Sequence, residues 1–378
     1  MLNKQDHLLF IAPTAYPLGG IAVWLDYLMT GLLTNSIAQI TFGAVSGHYH
    51  DAKIYLEKYP FVNAEIIDCG TGTQVARASA VIELIEKVQP TMVVCTNIAD
   101  VYFATRLLKS RQGIEYILVA TIHALEPKLI SDMIEYIDVI DHIVVTNKLT
   151  RAVVSEMTDY HEQQIHYAPY GVNLPAAIDK VETSVEPLRI LYCGRIAKDQ
   201  KRCQDLVKIV QGLTDGGVNY QLLVAGDGPY KDQLLSELDS EKIVYLGSIP
   251  AEQVSEKAYR QADILLLTSE WETGPIVIWE ALAHGLAVVT SKYSGVKTEG
   301  ALIDNINCLM FEVGDVHGAV TAITSLLDGS RRRMLSDAGM VLIKDRYSRE
   351  LSVKQWRMVF DEIASDTCLL YTSPSPRD

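Results

Sequence analysis

A chain of 378 residues exceeds one ordinary hydrophobic core and fits two domains. With 48% hydrophobic and 21% charged residues the composition is globular, and no apolar run approaches the length of a transmembrane helix. The formal charge of −14 argues against nucleic acid or an anionic membrane as the main partner, because both reward basic surface; a local basic cluster can still hold a small anion.

The N-terminal stretch "MLNKQDHLLFIAPTAYP" lacks the long apolar core of a secretory signal, and Leu8 to Ala12 is strand-sized. Apolar runs at 7–15, 38–46, 64–70, 91–97, 115–123, 141–147 and 165–171 read as strands, several of them rich in Val and Ile. Between them lie amphipathic segments such as "TQVARASAVIELIEKVQP", with apolar positions at helical spacing. This alternation predicts βαβ units and mainly parallel sheets covered by helices on both faces. A polar, proline-bearing stretch then breaks the rhythm and predicts a linker over 173–187. Strand-type runs resume at 188–196, 220–228, 242–248, 263–269 and 286–291. The expected fold is α/β: two doubly wound, Rossmann-like parallel-sheet domains, 1–172 and 188–346, with a ligand cleft expected between the strand C-terminal ends of both. "YSRELSVKQWRMVFDEIAS" predicts an amphipathic helix over 347–364. The stretch 366–378, "DTCLLYTSPSPRD", shows no periodicity; it reads as translated adapter sequence or a disordered tail. The six cysteines (Cys69, Cys95, Cys193, Cys203, Cys308, Cys368) form no CxxC or zinc spacing, which predicts a reducing, cytoplasmic compartment.

Five stretches could carry chemistry. In "TSEWETGPIVIWEALAHG", Pro275 suits a helix start and Gly285 its stop. The amides of Ile276 and Val277, aided by the helix dipole, would then make an anion site just after Glu272 and Gly274. Glu280 on that helix could accept hydrogen bonds from a ribose diol. Taken alone, the motif fits a solvated glutamate face equally well. In "YCGRIAKDQKRC", Gly194 and Arg195 follow a strand, and Lys201 opens the next helix. A planar Arg fork and a Lys point charge there suit a diphosphate. Lys198 or Arg202 could replace Lys201, and a plain basic turn is the bland alternative.

"LVAGDGPYKDQL" places Gly226 in a strand-to-helix turn, which tight turn geometry alone would explain. "PTAYPLGGIAVW" puts Gly19 and Gly20 where a ligand could approach the backbone, or where a turn needs freedom. His123 ends a strand in "VATIHALEP", a position more often structural than functional. No Ser-His-Asp, two-His metal or P-loop set occurs, and a GxGxxG after the first strand is missing, which lowers a nicotinamide or flavin reading.

The order of these signals resembles the retaining GT-B glycosyltransferases of glycosyltransferase family 4. Gly19-Gly20, "IH", "APYGVNL", "GR…K", "GDGP" and Glu-x7-Glu followed by "ALAHGLAVV" span roughly 8 to 364. The resemblance implies that Arg195, Lys201 and the amides after Gly274 neutralise a nucleotide diphosphate and that Glu280 holds its ribose. It places Glu272 and His123 by the reacting sugar, Gly19-Gly20 on the acceptor and phosphate side, and the base near the "GSIP" turn with Ile249. It also returns the helix 347–364 to the first domain. The implied reaction is metal-independent transfer of a hexose-type sugar, with retention, from a UDP-, GDP- or ADP-linked donor to a hydroxyl acceptor. Nucleotide sugar would be a co-substrate, with no bound cofactor, and a lipid-linked acceptor would bring the protein to a membrane surface. Other outcomes of the same resemblance are a hydrolysing epimerase or an inactive, partner-binding homologue. The chain departs from the family pattern at Gly274-Pro275, where Phe-Gly is common, at Tyr170, and in "YSGVKTEGALIDNINCLMF", which holds Glu299 and Cys308.

Overall fold

The computed structural model describes residues 2–13, 20–35, 38–46, 52–58, 63–67, 72–96, 98–111, 115–176, 187–238 and 241–372. The chain forms two compact units, Met1–Pro169 with Ser352–Asp378, and Tyr170–Leu351.

The first unit is built on seven parallel strands: β1 (His7–Pro13), β2 (Gln39–Val45), β3 (Ala64–Ile67), β4 (Met92–Thr96), β5 (Ile117–Ile122), β6 (His142–Val145) and β7 (Ile165–Tyr167), in the order β3-β2-β1-β4-β5-β6-β7. The second has six: β8 (Leu188–Cys193), β9 (Tyr220–Ala225), β10 (Ile243–Gly247), β11 (Ile264–Leu267), β12 (Ala287–Ser291) and β13 (Leu309–Phe311), in the order β10-β9-β8-β11-β12-β13. Every described strand pairing is parallel. Parallel strands need crossover helices, which cover both sheet faces; β4, β11 and β12 are accordingly buried along their whole length. Each sheet reverses its strand order once beside its first strand, between β1 and β4 and between β8 and β11. Such a switch point opens a crevice at the strand C-terminal ends.

The doubly wound fold class is as expected, with differences at the edges of elements. Several strands end earlier than the apolar runs, as β5, β7, β8 and β9 do, because the described residues that follow Ile122, Tyr167, Cys193 and Ala225 already belong to loops. β13 was not foreseen: three residues are too few to show a period. Tyr170 and Val172, read as the end of the first domain, sit in the second unit. There the Val172 amide donates to the Tyr347 carbonyl at 2.9 Å, and its carbonyl accepts from the Arg349 amide at 2.9 Å. Most of the expected linker, 177–186, lies outside the described residues.

The terminal helix runs Arg349–Thr372, starting after Tyr347 and continuing into the stretch read as tail; 373–378 lie outside the described residues. Within the first unit it packs on the helix Gly20–Asn35. Trp356 and Phe360 are fully buried, Trp356 meets Trp24 at 5.0 Å between ring centroids, and Phe360 meets Phe10 edge-on at 5.7 Å. A Cβ on Gly31 would lie 2.6 Å from Val353 Cγ2, so glycine permits the helices to approach this closely.

Candidate functional site

The second sheet's switch point gathers most of the predicted residues. After β8 the chain turns at Gly194, and after β9 it turns at Gly226 with φ of +133°. A Cβ on Gly226 would lie 1.9 Å from the Gly194 carbonyl oxygen. Gly226 is therefore required by the packing of one loop on the other, whatever else it touches. Backbone bonds fix the two loops together: Gly194 N–H to Ala225 O at 3.0 Å and Ile196 N–H to Asp227 O at 2.8 Å.

On this base sits a buried polar network. Lys201 Nζ lies 2.6 Å from Glu272 Oε1, and Ser269 Oγ donates to the same oxygen at 2.6 Å. Gln200 Nε2 donates to the Trp271 carbonyl at 3.2 Å and approaches Glu272 Oε2 at 3.5 Å, while its Oε1 accepts from Arg195 Nη2 at 3.2 Å. Thr268 Oγ1 donates to the Lys201 carbonyl at 2.8 Å, and the Glu270 amide donates to the Gln200 carbonyl at 2.8 Å. These bonds tie the loop after β8 to the loop after β11. The loop after β12 joins them, since the Ser294 amide donates to Glu270 O at 2.9 Å. Arg195 is exposed and, among the described residues, has no carboxylate partner.

The alternatives to Lys201 are engaged elsewhere. Arg202, in a left-handed conformation with φ of +47°, pairs with Asp205 at 2.8 Å and Glu270 at 3.3 Å. Lys198 lies over the Tyr230 ring at 4.5 Å and bonds Gln233. Lys201 is thus the lysine held within the network.

Gly274, with φ of +89°, turns the chain into the helix Ile276–Ala283, with Pro275 at its N-cap rather than inside its first turn. Pro275 lacks an N–H but its carbonyl accepts from the Ile278 amide at 2.9 Å. Ile276 and Val277 are partly buried against the core, and their amides belong to the first turn, which lacks intrahelical acceptors. One turn on, Glu280 is half-buried, and its Oε2 accepts a 2.6 Å hydrogen bond from Tyr259 Oη. Burial pushes its carboxyl up to about 7, with the Tyr259 hydrogen bond opposing that rise. Cys193, at the end of β8, feels the charges of both Glu280 and Lys201; its burial pushes the thiol up to about 12. Ile249 follows β10, and its side chain packs in the core with Leu223, Ala225 and Tyr259. Glu299 ends the short helix Val296–Glu299, where it accepts from Tyr347 Oη at 3.0 Å.

In the first unit, Gly20 opens its helix, while Gly19 lies outside the described residues. His123 follows β5 and is buried against Trp24, ring centroids 4.3 Å apart, with Nε2 3.0 Å from Thr121 Oγ1. Burial pulls its pKa down to about 3, so the imidazole is neutral at physiological pH. No group of three or more His, Cys, Asp or Glu placed to hold a metal ion occurs among the described residues.

Sequence reasoning passed over Gln200, Ser269 and Tyr259. Gln200 and Ser269 lie inside the quoted motifs and could have been named as polar neighbours of Arg195 and Glu272. Tyr259 lies in the short 3-10 turn Tyr259–Gln261, where no motif marks it.

Residues 187–329 match the family described as Glycosyl transferases group 1. The chain is 24% identical to the lipopolysaccharide 1,6-galactosyltransferase of Escherichia coli K12 over 65% of its own length and 68% of that protein's. It is 27% identical to the sulfoquinovosyl transferase SQD2 of Arabidopsis thaliana over 39% of its length, a stretch that spans only 28% of the plant protein. Its fold resembles that of Anabaena Alr3699/HepE, solved in complex with UDP-glucose, with a TM-score of 0.75 at 14% identity over 95% of this chain and 99% of that one.

Proposed function

We propose that this chain, a GT-B protein whose residues 187–329 form a glycosyl transferases group 1 domain, is a retaining glycosyltransferase. It moves a hexose-type sugar from a nucleotide-diphosphate donor to a hydroxyl acceptor. The observation that carries this reading is the network at the second switch point, where Lys201, Glu272 and Arg195 are linked through Gln200 beside the start of the helix Ile276–Ala283. The likeness to transferases in the same family, and to a fold that holds UDP-glucose, supports it.

The chemistry follows from charge. A glycosyl diphosphate donor leaves as a nucleoside diphosphate, and negative charge grows on its oxygens as the glycosidic bond breaks. Arg195, Lys201 and the amides of Ile276 and Val277 would serve as donors to such charge. A diphosphate would compete with Glu272 for Lys201, leaving Glu272 to accept from sugar hydroxyls. Glu280, as a carboxylate, would accept from the ribose diol. The acceptor hydroxyl would attack from the face the leaving group vacates, giving retention.

The test is transfer from UDP-, GDP- and ADP-linked hexoses, with Arg195→Ala and Glu280→Ala measured beside the wild type. Each substitution is expected to cut turnover by roughly 10²–10³-fold while leaving the circular dichroism spectrum intact. Unchanged rates in both variants would overturn the reading. Conversion of donor without any acceptor would move the assignment to an epimerase.

A further inference from the structure

Glu280 stands inside a closed ring of contacts that its expected contact with a nucleotide does not by itself demand. Tyr259 Oη donates to Glu280 Oε2 at 2.6 Å. The Tyr259 ring stacks on the His284 imidazole, centroids 5.0 Å apart and planes 24° apart. His284 Nδ1 lies 2.7 Å from the Glu280 backbone carbonyl, and its Nε2 lies 2.7 Å from Ser255 Oγ. A carbonyl oxygen can only accept, so Nδ1 carries the proton and Nε2 accepts from the Ser255 hydroxyl. The tautomer is therefore fixed, and with it the ring that Tyr259 rests on.

We propose that Tyr259, braced by His284 and Ser255, is a positioning residue that keeps Glu280 in its anionic form and turned toward the ribose diol of the donor. The inference rests on the function proposed above and specifies how its ribose contact is maintained. A carboxylic acid that keeps its proton carries an O–H donor and weaker acceptors, so it accepts from the two hydroxyls of a diol less well than the anion does. Burial favours that protonated form, and among the described residues the phenol hydrogen bond is the interaction at this carboxyl that counters it. The other titratable groups around it act differently. Cys193 faces both Glu280 and Tyr259, with its thiol held protonated by burial. His284 is pulled below its ordinary range by burial and stays neutral, with Arg260 and Glu256 opposing each other beside it.

The device gives donor binding an acid limit. Below neutrality Glu280 gains a proton and the diol contact weakens; without the Tyr259 hydroxyl this limit moves to higher pH.

The experiment measures UDP, GDP and ADP binding by calorimetry from pH 6 to 9 for the wild type, Tyr259→Phe and Ser255→Ala. For whichever diphosphate binds, Tyr259→Phe is expected to shift the acid limb upward by about one pH unit, with affinity about fivefold lower at pH 7 and largely recovered at pH 9. Ser255→Ala, one contact further out, should shift it less. The 2′,3′-dideoxy nucleoside diphosphate carries the same phosphates without the diol and should bind both proteins equally. A constant loss across the pH range, or an equal loss for the dideoxy analogue, would mean a merely structural role and overturn the proposal. In parallel, 13C NMR of labelled glutamate follows Glu280 directly, and its midpoint should rise in Tyr259→Phe. That second readout separates the two readings: failure of the wild type to bind any diphosphate sinks the donor assignment, while an unmoved midpoint sinks the role of Tyr259.

Discussion

Lys201 Nζ and Glu272 Oε1 stand 2.6 Å apart, with only 14% and 6% of their side chains exposed. Two ions so placed have given up most of their water, and their mutual attraction is spent largely on offsetting that loss. Such a pair stabilises little by itself but is sensitive to the removal of one member. It also holds a cation and an anion ready at the end of a parallel sheet.

Lys201→Met is expected to destabilise the protein by about 3–5 kcal/mol, because it strands Glu272 in a buried place. The double variant Lys201→Met, Glu272→Leu should recover part of that loss. Urea unfolding of the two singles and the double, arranged as a mutant cycle, reads the coupling. A double variant as unstable as the sum of the singles would contradict a direct pairing.

Gly226→Ala should be far more damaging than its size suggests. Its Cβ would fall 1.9 Å from the Gly194 carbonyl oxygen, and φ of +133° is strained for any L side chain. A loss of about 3 kcal/mol or more follows. Gly217→Ala is the control: φ is +68° there and nothing lies within 4 Å, so the cost is about 1 kcal/mol. Equal effects on thermal unfolding would refute the packing account of the Gly-Asp-Gly turn.

His123 sets a pH dependence of stability. Its folded pKa, about 3, lies below the ordinary 6.5, so between these values the unfolded chain binds a proton that the folded one refuses. Stability from this group is full above pH 6.5 and falls as pH drops toward 3, by an amount on the order of 3 kcal/mol. His123→Leu should flatten that part of the curve, as urea midpoints taken from pH 4 to 8 would show.

Glu280 acts in the opposite direction. Its folded value, about 7, lies above the ordinary 4.5, so the unfolded chain ionises first and stability falls as pH rises between them. The penalty is complete above pH 7 and is on the order of 2 kcal/mol, since the group keeps some solvent. Glu280→Gln should be more stable than the wild type at pH 8 and equal to it at pH 4. A variant with the same difference at both pH values would rule out the titration.

The strands were legible because they are parallel and buried on both faces, which turns them into unbroken runs such as Ile264–Leu267 and Ala287–Ser291. β13 was not, since the three residues Leu309–Phe311 are too few to show a repeating pattern. Arg195, Lys201, Glu272 and Glu280 could be named individually from their place after strands and at a helix start. Their pairing could not: Lys201 and Glu272 are 71 positions apart, and the strand order that joins their loops is a property of the folded sheet. The choice among Lys198, Lys201 and Arg202 likewise depended on partners that only the structure supplies, Asp205 and Glu270 for one and Tyr230 for another. Tyr259 gave no signal at all, because its importance comes from a residue 21 positions later and from the ring beneath it.

The division of the chain also has a consequence for its synthesis. The second unit, Tyr170–Leu351, is continuous in sequence, whereas the first is assembled from Met1–Pro169 and a segment beginning at Ser352. Trp356, Phe360 and Ile363, all fully buried in that first unit, leave the ribosome only after every strand of the second unit has done so. During translation the unit begun first would wait with an apolar face uncovered while the one begun second acquired all its strands. Order of synthesis and order of completion are thus reversed, and the nascent first unit is where a chaperone would find the most to bind.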